Sequence, residues 1–214
     1  MSKGWFMVDS YRFFTFVDFW NYTLSMKNHD ETFKTDWKKF PKILTREAGN
    51  LVDSGALAKY EGMNVYGSFD KSTPKGRGLR NWSNSVLDGF PGINAKFKPR
   101  TKIKSHPRCP ACHDKVEDCP SCGKDLRGTQ EKGIDTRIAT DLVAMAWEKA
   151  FDIAILVSAD QDFVPAAEYL QNKGIKVIQA GFPPNGMLLK QKCWASIDLR
   201  THCGDFRQNW DIPN

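Results

Sequence analysis

Residues 152–158 read DIAILVS, and this run decides the fold class. It is the clearest strand of the chain, five apolar residues bounded by Asp152 and Ser158. Helical and extended patterns alternate on both sides of it. Upstream, Ile138, Leu142 and Met145 recur at i, i+4 and i+7, which predicts an amphipathic helix over 135–149. Downstream, a helix is predicted over 163–173 and closed by Gly174, followed by a strand over 175–180 (IKVIQA) and a last helix over 186–199.

The first half of the chain continues the pattern. Phe13 to Val17 is a short, mostly apolar run ending at Asp18, as in a strand covered on both faces. Residues 33–48 look helical but are interrupted by Pro41. Strands are expected over 59–69 and, as an extended arm, over 93–104, with a helix over 79–90 between them. No repeats or low-complexity linkers stand out. Alternating β and α elements predict an α/β fold, a three-layer α/β/α sandwich on a mostly parallel sheet, as one domain over residues 1–214.

Composition narrows the class further. The chain has 214 residues, 41% hydrophobic and 12% aromatic, enough for a real core and unlike a disordered segment. No uncharged stretch approaches the roughly 18 apolar residues of a membrane span. Nothing in the N-terminal residues suggests secretion, so a cytoplasmic protein is expected.

The net charge of +6 is unevenly spread. Residues 71–108 hold ten Lys and Arg against the single acid Asp88, a segment of +9, which leaves −3 for the rest. Within it Lys96, Lys98, Arg100, Lys102 and Lys104 recur at every second residue. In an extended chain all five share one side, with Phe97 and Ile103 facing the protein. Such a stripe suits a nucleic-acid backbone and predicts salt-sensitive binding; a charged, solvated edge strand is the other reading.

Four of the six cysteines form Cys109-x2-Cys112-x6-Cys119-x2-Cys122. Two CxxC pairs offer four soft thiolate ligands, the requirement of a closed, structural Zn2+ site. Residues 105–128 are too few to bury much core, so they are expected to form an inserted four-cysteine zinc module. Cys193 and Cys203 lack ligand spacing and read as ordinary thiols.

Carboxylates gather where strands end. One strand runs into Val17-Asp18-Phe19-Trp20-Asn21, the other into Ser158-Ala159-Asp160-Gln161-Asp162, and Asp135 opens the helix of 135–149. In an open parallel sheet ligands bind beyond the carboxyl ends of the strands. Several carboxylates there call for a hard cation, Mg2+ or Mn2+, able to activate water and neutralise a phosphate. Asp18, Asp135, Asp160 and Asp162 are therefore the candidate metal ligands and catalytic residues, with Asn21 able to orient a water or a phosphate oxygen. Each acid has an alternative: Asp18 as a strand-end acceptor of amides, Asp160 or Asp162 as a helix cap, Asp135 as an N-cap. Asp141 lies about 120° around the helix from Asp135 and is expected to act structurally. Trp20 and Tyr22 read as base-stacking or core residues.

These residues carry a resemblance. FVDFWN at 16–21 resembles the first motif of NYN domains, and the stretch from Lys132 to Gly181 resembles the C-terminal half of the same family, in the LabA-like group of PIN-like nucleases. The resemblance implies a PIN-like sandwich and metal-dependent endoribonuclease activity. It carries the metal role onto Asp18, Asp135, Asp160 and Asp162, with Asn21 accessory. No separate acid in residues 27–130 stands out to join them, which implies one metal rather than two.

The expected function is thus a Mg2+- or Mn2+-dependent endoribonuclease acting on RNA, single-stranded by expectation, with the basic arm holding the strand. The alternative is a non-catalytic RNA-binding or adaptor protein using the arm and the zinc module. A phosphatase of the double-Asp type would want a second Asp two residues after the first, where Trp20 stands. Oligomeric state and protein partners are left open.

Overall fold

The apolar runs become the interior strands. In a computed structural model, which describes residues 10–208, the chain folds as β1 (Ser10–Asp18), α1 (Phe19–His29), α2 (Phe40–Val52), β2 (Leu57–Phe69), α3 (Pro74–Trp82) and β3 (Ile93–Pro99). It continues as β4 (Thr101–Lys102), β5 (Thr129–Gln130), α4 (Ile134–Trp147), β6 (Ile153–Val157), α5 (Val164–Asn172), β7 (Lys176–Gly181), α6 (Met187–Lys192) and β8 (Ala195–Asp198). Six strands form one sheet in the order β3-β2-β1-β6-β7-β8, every neighbouring pair parallel. Strands β4 and β5 form a separate antiparallel ribbon.

Both faces of the sheet are covered, as the unbroken apolar strands require. On one face Phe13, Val17, Met63, Val65 and Ile155 pack against α1 and α2 through Phe19, Tyr22, Phe40 and Leu44. On the other, Phe14, Phe16 and Leu156 meet Ile138 and Leu142 of α4, Ala167 and Leu170 of α5, and Leu189 of α6. The result is the expected three-layer α/β/α sandwich. Among the described residues no helix is long and apolar enough to cross a membrane.

Four local expectations are corrected. Helix α1 begins directly after β1, where no helix was predicted; Asp18 caps it by accepting the Asn21 amide at 3.1 Å. Pro41 opens α2 rather than interrupting it, since a proline in the first helical turn forfeits no hydrogen bond. The helix expected over 79–90 starts earlier, at Pro74 behind a Thr73 cap, and relaxes into a π turn at Ser83–Leu87. The helix expected over 186–199 stops at Lys192; Cys193 is extended, and Ala195–Asp198 adds a sixth strand whose Ile197 is buried beside β7.

Strand order fixes where a ligand can go. The chain builds β1, β2 and β3 toward one edge, then crosses over to add β6, β7 and β8 on the other side of β1. The connections on either side of β1 therefore diverge, leaving a crevice at the carboxyl ends of β1 and β6. That seam is fastened at its opposite end by Arg12, whose guanidinium grips the Asp152 carboxylate at 2.8 and 3.2 Å and the Lys149 carbonyl at 2.8 Å.

Candidate active site at the carboxyl edge of the sheet

Asp18 closes β1 at the mouth of this crevice and is only 6% exposed. Its Oδ1 caps α1, while its Oδ2 lies 3.5 Å from the Ser158 hydroxyl, at the end of β6. The Asp160 amide donates to the same Ser158 Oγ at 3.1 Å, and the Ala159 amide to Asn21 Oδ1 at 2.9 Å. One short polar chain thus ties the ends of the two strands together. From the β7 side, Gln179 donates to the Ser158 and Gly186 carbonyls at 3.0 and 3.2 Å. Gly186 has φ +74°, and a methyl group there would sit 2.7 Å from the Ala159 Cα, so the close approach needs glycine.

The acids around this point act on one another. Burial pushes the Asp18 carboxyl up to about 6; the Asn21 amide pulls against this, and the charges of Asp135, Glu131 and Asp160 add to it. Burial, together with Asp160, Glu131 and Asp162, also holds the Asp135 carboxyl above its ordinary range, with Lys98 opposing. Asp160 is half-buried and caps the turn that follows β6, accepting the Asp162 amide at 2.9 Å; Asp162 is exposed. Asp135 sits in the first turn of α4 and makes no cap bond, because Gly133, with φ +65°, fills that position. The structure therefore brings Asp18, Asp135, Asp160 and Asp162 to one edge, with Asn21 holding the frame.

Glu131 is the acid that sequence reasoning missed. It follows β5 immediately, and its carboxylate accepts a short hydrogen bond from Ser68 Oγ near the end of β2. Its signal was its place two residues before Gly133, at the head of α4. The donor set as a whole, five oxygen acids at one edge, suits a hard divalent cation. Among the described residues, however, no group of three or more His, Cys, Asp or Glu side chains stands close enough together to hold a metal ion as it is. Mutual repulsion is a sufficient physical reason for the carboxylates to stand apart.

The basic stripe is divided rather than continuous, which corrects the single-face expectation. The β3 ladder ends at Pro99, the Arg100 amide donates to the Phe69 carbonyl at 2.8 Å, and the chain leaves for the β4–β5 ribbon. Period two does hold along β3: Phe97 packs edge-on against Phe19, while Lys96 and Lys98 face α4. Lys96 is engaged by Asp141 at 2.6 Å. Asp141 also accepts Tyr66 at 2.9 Å and Arg137 at 2.9 Å. Burial pushes Asp141 up, but these partners, Lys96 foremost, hold it low. Asp141 thus fastens α4 to the sheet, the structural role expected of it.

Lys98 and Arg100 stay at the site. Lys98 Nζ lies over Gly133, 3.3 Å from where a methyl group would be, and its charge acts on Asp135. Arg100 stacks on the Trp20 ring, 5.1 Å from its centroid, and donates to Ser68 Oγ at 3.0 Å. Trp20 is held by its own Nε1 bond to the Ser68 carbonyl at 2.8 Å. Tyr22, in contrast, is a core residue bonded to Thr35. Lys102 lies 3.7 Å from Asp125 of the four-cysteine module, and Lys104 is exposed. A shallow hollow of about 290 Å³ opens beside Asp160, between Gln161, Gly186 and Leu188.

Away from this edge, Cys193 is a half-buried thiol pushed up to about 12 by desolvation. Cys109, Cys112, Cys119 and Cys122 are free thiols on the module between β4 and β5.

Comparison with known proteins agrees with this architecture. Residues 12–200 match the NYN domain family. A crystal structure of a protein of unknown function from Vibrio parahaemolyticus superposes with a TM-score of 0.56 at 20% identity, covering 92% of this chain and 96% of that one. At that identity the likeness is one of fold. The uncharacterized protein y4oD of Sinorhizobium fredii is 36% identical over 55 residues, 26% of each chain. The match thus spans about a quarter of that relative's length.

Proposed function

The chain belongs to the NYN domain family, and from that premise we propose that it is a metal-dependent endoribonuclease of the LabA-like group, cutting single-stranded RNA with Mg2+ or Mn2+. The observation that carries this reading is the Asp18 carboxyl. It is buried at the crevice between β1 and β6, and Glu131, Asp135 and Asp160 all press on its charge. A fold tolerates repelling carboxylates at one edge when a cation is to be bound there.

Asp18, Asp135 and Asp160 would hold the ion, with Glu131 and Asp162 beside them. The ion would supply the positive charge that neutralises the scissile phosphate and favours ionised water as nucleophile. The chain's own residues do the rest. Asn21 and Ser158 tie the β1 and β6 ends together, so that the segments carrying Asp18 and Asp160 hold a fixed relation. Arg100, held over the Trp20 ring, and Lys98 present charge to the backbone of the strand at the rim. Asp162, exposed at the start of the turn after β6, is placed to orient a water.

The test uses end-labelled single-stranded RNA incubated with and without Mn2+. Internal cleavage by the wild type in Mn2+, absent in Asp18→Asn, is the expected result. Equal cleavage by both proteins would overturn the mechanism. One observation favours the second reading, a non-catalytic RNA-binding module: the acids do not converge on a common point. RNA binding without cleavage in any divalent cation would decide for it.

A further inference from the structure

Residues 107–126, in the module between β4 and β5, are two copies of one ten-residue turn. In the first, the Cys109 amide donates to the Asp114 carbonyl at 2.9 Å, and the His113 amide to the Cys109 carbonyl at 2.9 Å. In the second, the Cys119 amide donates to Lys124 at 2.9 Å, and Gly123 to Cys119 at 2.8 Å. The closing bonds match as well: Val116 donates to Pro107 and Leu126 to Glu117, both at 2.9 Å. His113 and Gly123, each just after the second cysteine of its pair, share a left-handed backbone with φ 61° and 66°. A side chain in that conformation is strained, so His113 is held there by the turn. The absence of repeats expected from the sequence is corrected here, because the two copies agree in conformation more than in residue type.

Each turn points its amides at sulfur. Cys109 Sγ receives the backbone N–H groups of Ala111 and Cys112, and Cys119 Sγ those of Ser121 and Cys122. Within each pair the two thiols also touch. The module has little else to hold it. Its apolar residues Val116 and Leu126 are 37% and 36% exposed, and its cysteines form no disulfide. As the chain stands, no three of these cysteines lie close enough together to hold an ion, and two turns with no core of their own need a cross-link to bring the pairs together.

We propose that Cys109, Cys112, Cys119 and Cys122 bind one Zn2+, which joins the two turns and braces the RNA-facing rim of the site. Each thiol loses its proton to solvent as its sulfur takes its share of the ion, with no change of oxidation state. The brace follows from where the module is attached. It leaves the sheet through Arg100 and β4 and returns through β5 and Glu131, with Ile103 bonded to the Gly128 carbonyl at 3.0 Å across the neck. Arg100 and Glu131 meet on one atom, Ser68 Oγ. Fixing the neck therefore fixes both residues. The zinc site is independent of catalysis; only its effect on the rim rests on the function proposed above.

The experiment begins with metal analysis of the full chain after gel filtration. One zinc per chain, released when a mercurial titrates four thiols, is expected. Replacing it with Co2+ should give the visible bands of a tetrahedral ion and thiolate-to-cobalt absorption in the near ultraviolet. Cys112→Ser/Cys122→Ser should lose the zinc and open residues 105–128 to protease, while the rest of the chain stays protected. It should also lower RNA affinity and the salt dependence of binding to the level of Arg100→Ala. A chain that takes up neither zinc nor cobalt would overturn the site, whatever its activity toward RNA. A chain that binds zinc but whose RNA affinity ignores its removal would overturn the brace.

Discussion

The Asn21 side-chain carbonyl accepts the Ala159 amide at 2.9 Å, so the first turn of α1 and the loop that carries Asp160 move as one. The same residue's backbone amide donates to the Asp18 carboxylate, which caps α1. Asn21→Ala leaves a half-buried amide without its acceptor, a loss of about 1–3 kcal/mol. It should lower the melting temperature by roughly 2–12 °C. Under the proposed function, single-turnover cleavage should fall while RNA affinity holds, since the frame between the acids is disturbed and the rim is not.

The Asp18 carboxyl titrates at about 6 in the fold against an ordinary 3.8. Because the folded value is the higher one, the unfolded chain ionises this group first. Stability of the metal-free protein should therefore fall as pH rises from about 4 to 6, and stay reduced above that, by about 3 kcal/mol at most. Asp18→Asn removes the penalty. In urea titrations it should be more stable than the wild type at pH 7.5 and equal to it near pH 4. Added Mn2+ should stabilise only the wild type.

Lys96 and Lys98 stand two residues apart on one face of β3 but serve different ends. Lys96→Met leaves Asp141 with fewer partners and should cost about 1–3 kcal/mol in stability, with the salt dependence of RNA binding unchanged. Lys98→Ala with Arg100→Ala should do the reverse, lowering the slope of log K against log salt by roughly 1 to 1.5. Anisotropy with a labelled RNA over a salt series distinguishes the two.

Glu131→Gln keeps a hydrogen-bonding side chain opposite Ser68 but deletes one of the charges that press on Asp18 and Asp135. It should reduce Mn2+ affinity, read by calorimetry, about 10- to 100-fold, and move the Asp18 titration toward lower pH.

The parallel sheet could be read from DIAILVS and the Phe13–Val17 run, because strands buried on both faces leave an unbroken apolar pattern. The acids at the strand ends were readable for the same reason: a parallel sheet puts every carboxyl end on one edge. Local chemistry was harder to read. Pro41 marks a helix start as readily as a break, and only the turn before it decides. Ala195–Asp198 reads as the end of a helix until β7 supplies its partner. Glu131 looked like one more charge in a polar stretch, because its role depends on Ser68, 63 residues away in sequence. The basic stripe had the right period along β3, but spacing alone could not reveal that Asp141 waits opposite Lys96.

The neck formed by Thr101 opposite Gln130 and Lys102 opposite Thr129 has a consequence for how such a chain could have been assembled. Entry and exit of the cysteine-bearing segment are adjacent, so it can be lost or gained without rethreading any strand of the sheet. A chain joined here by a plain turn would keep the crevice at the ends of β1 and β6. The segment is thus a detachable cassette, set between the stretch that carries Asp18 and the stretch that carries Asp135 and Asp160, and it can change in length or sequence without displacing either.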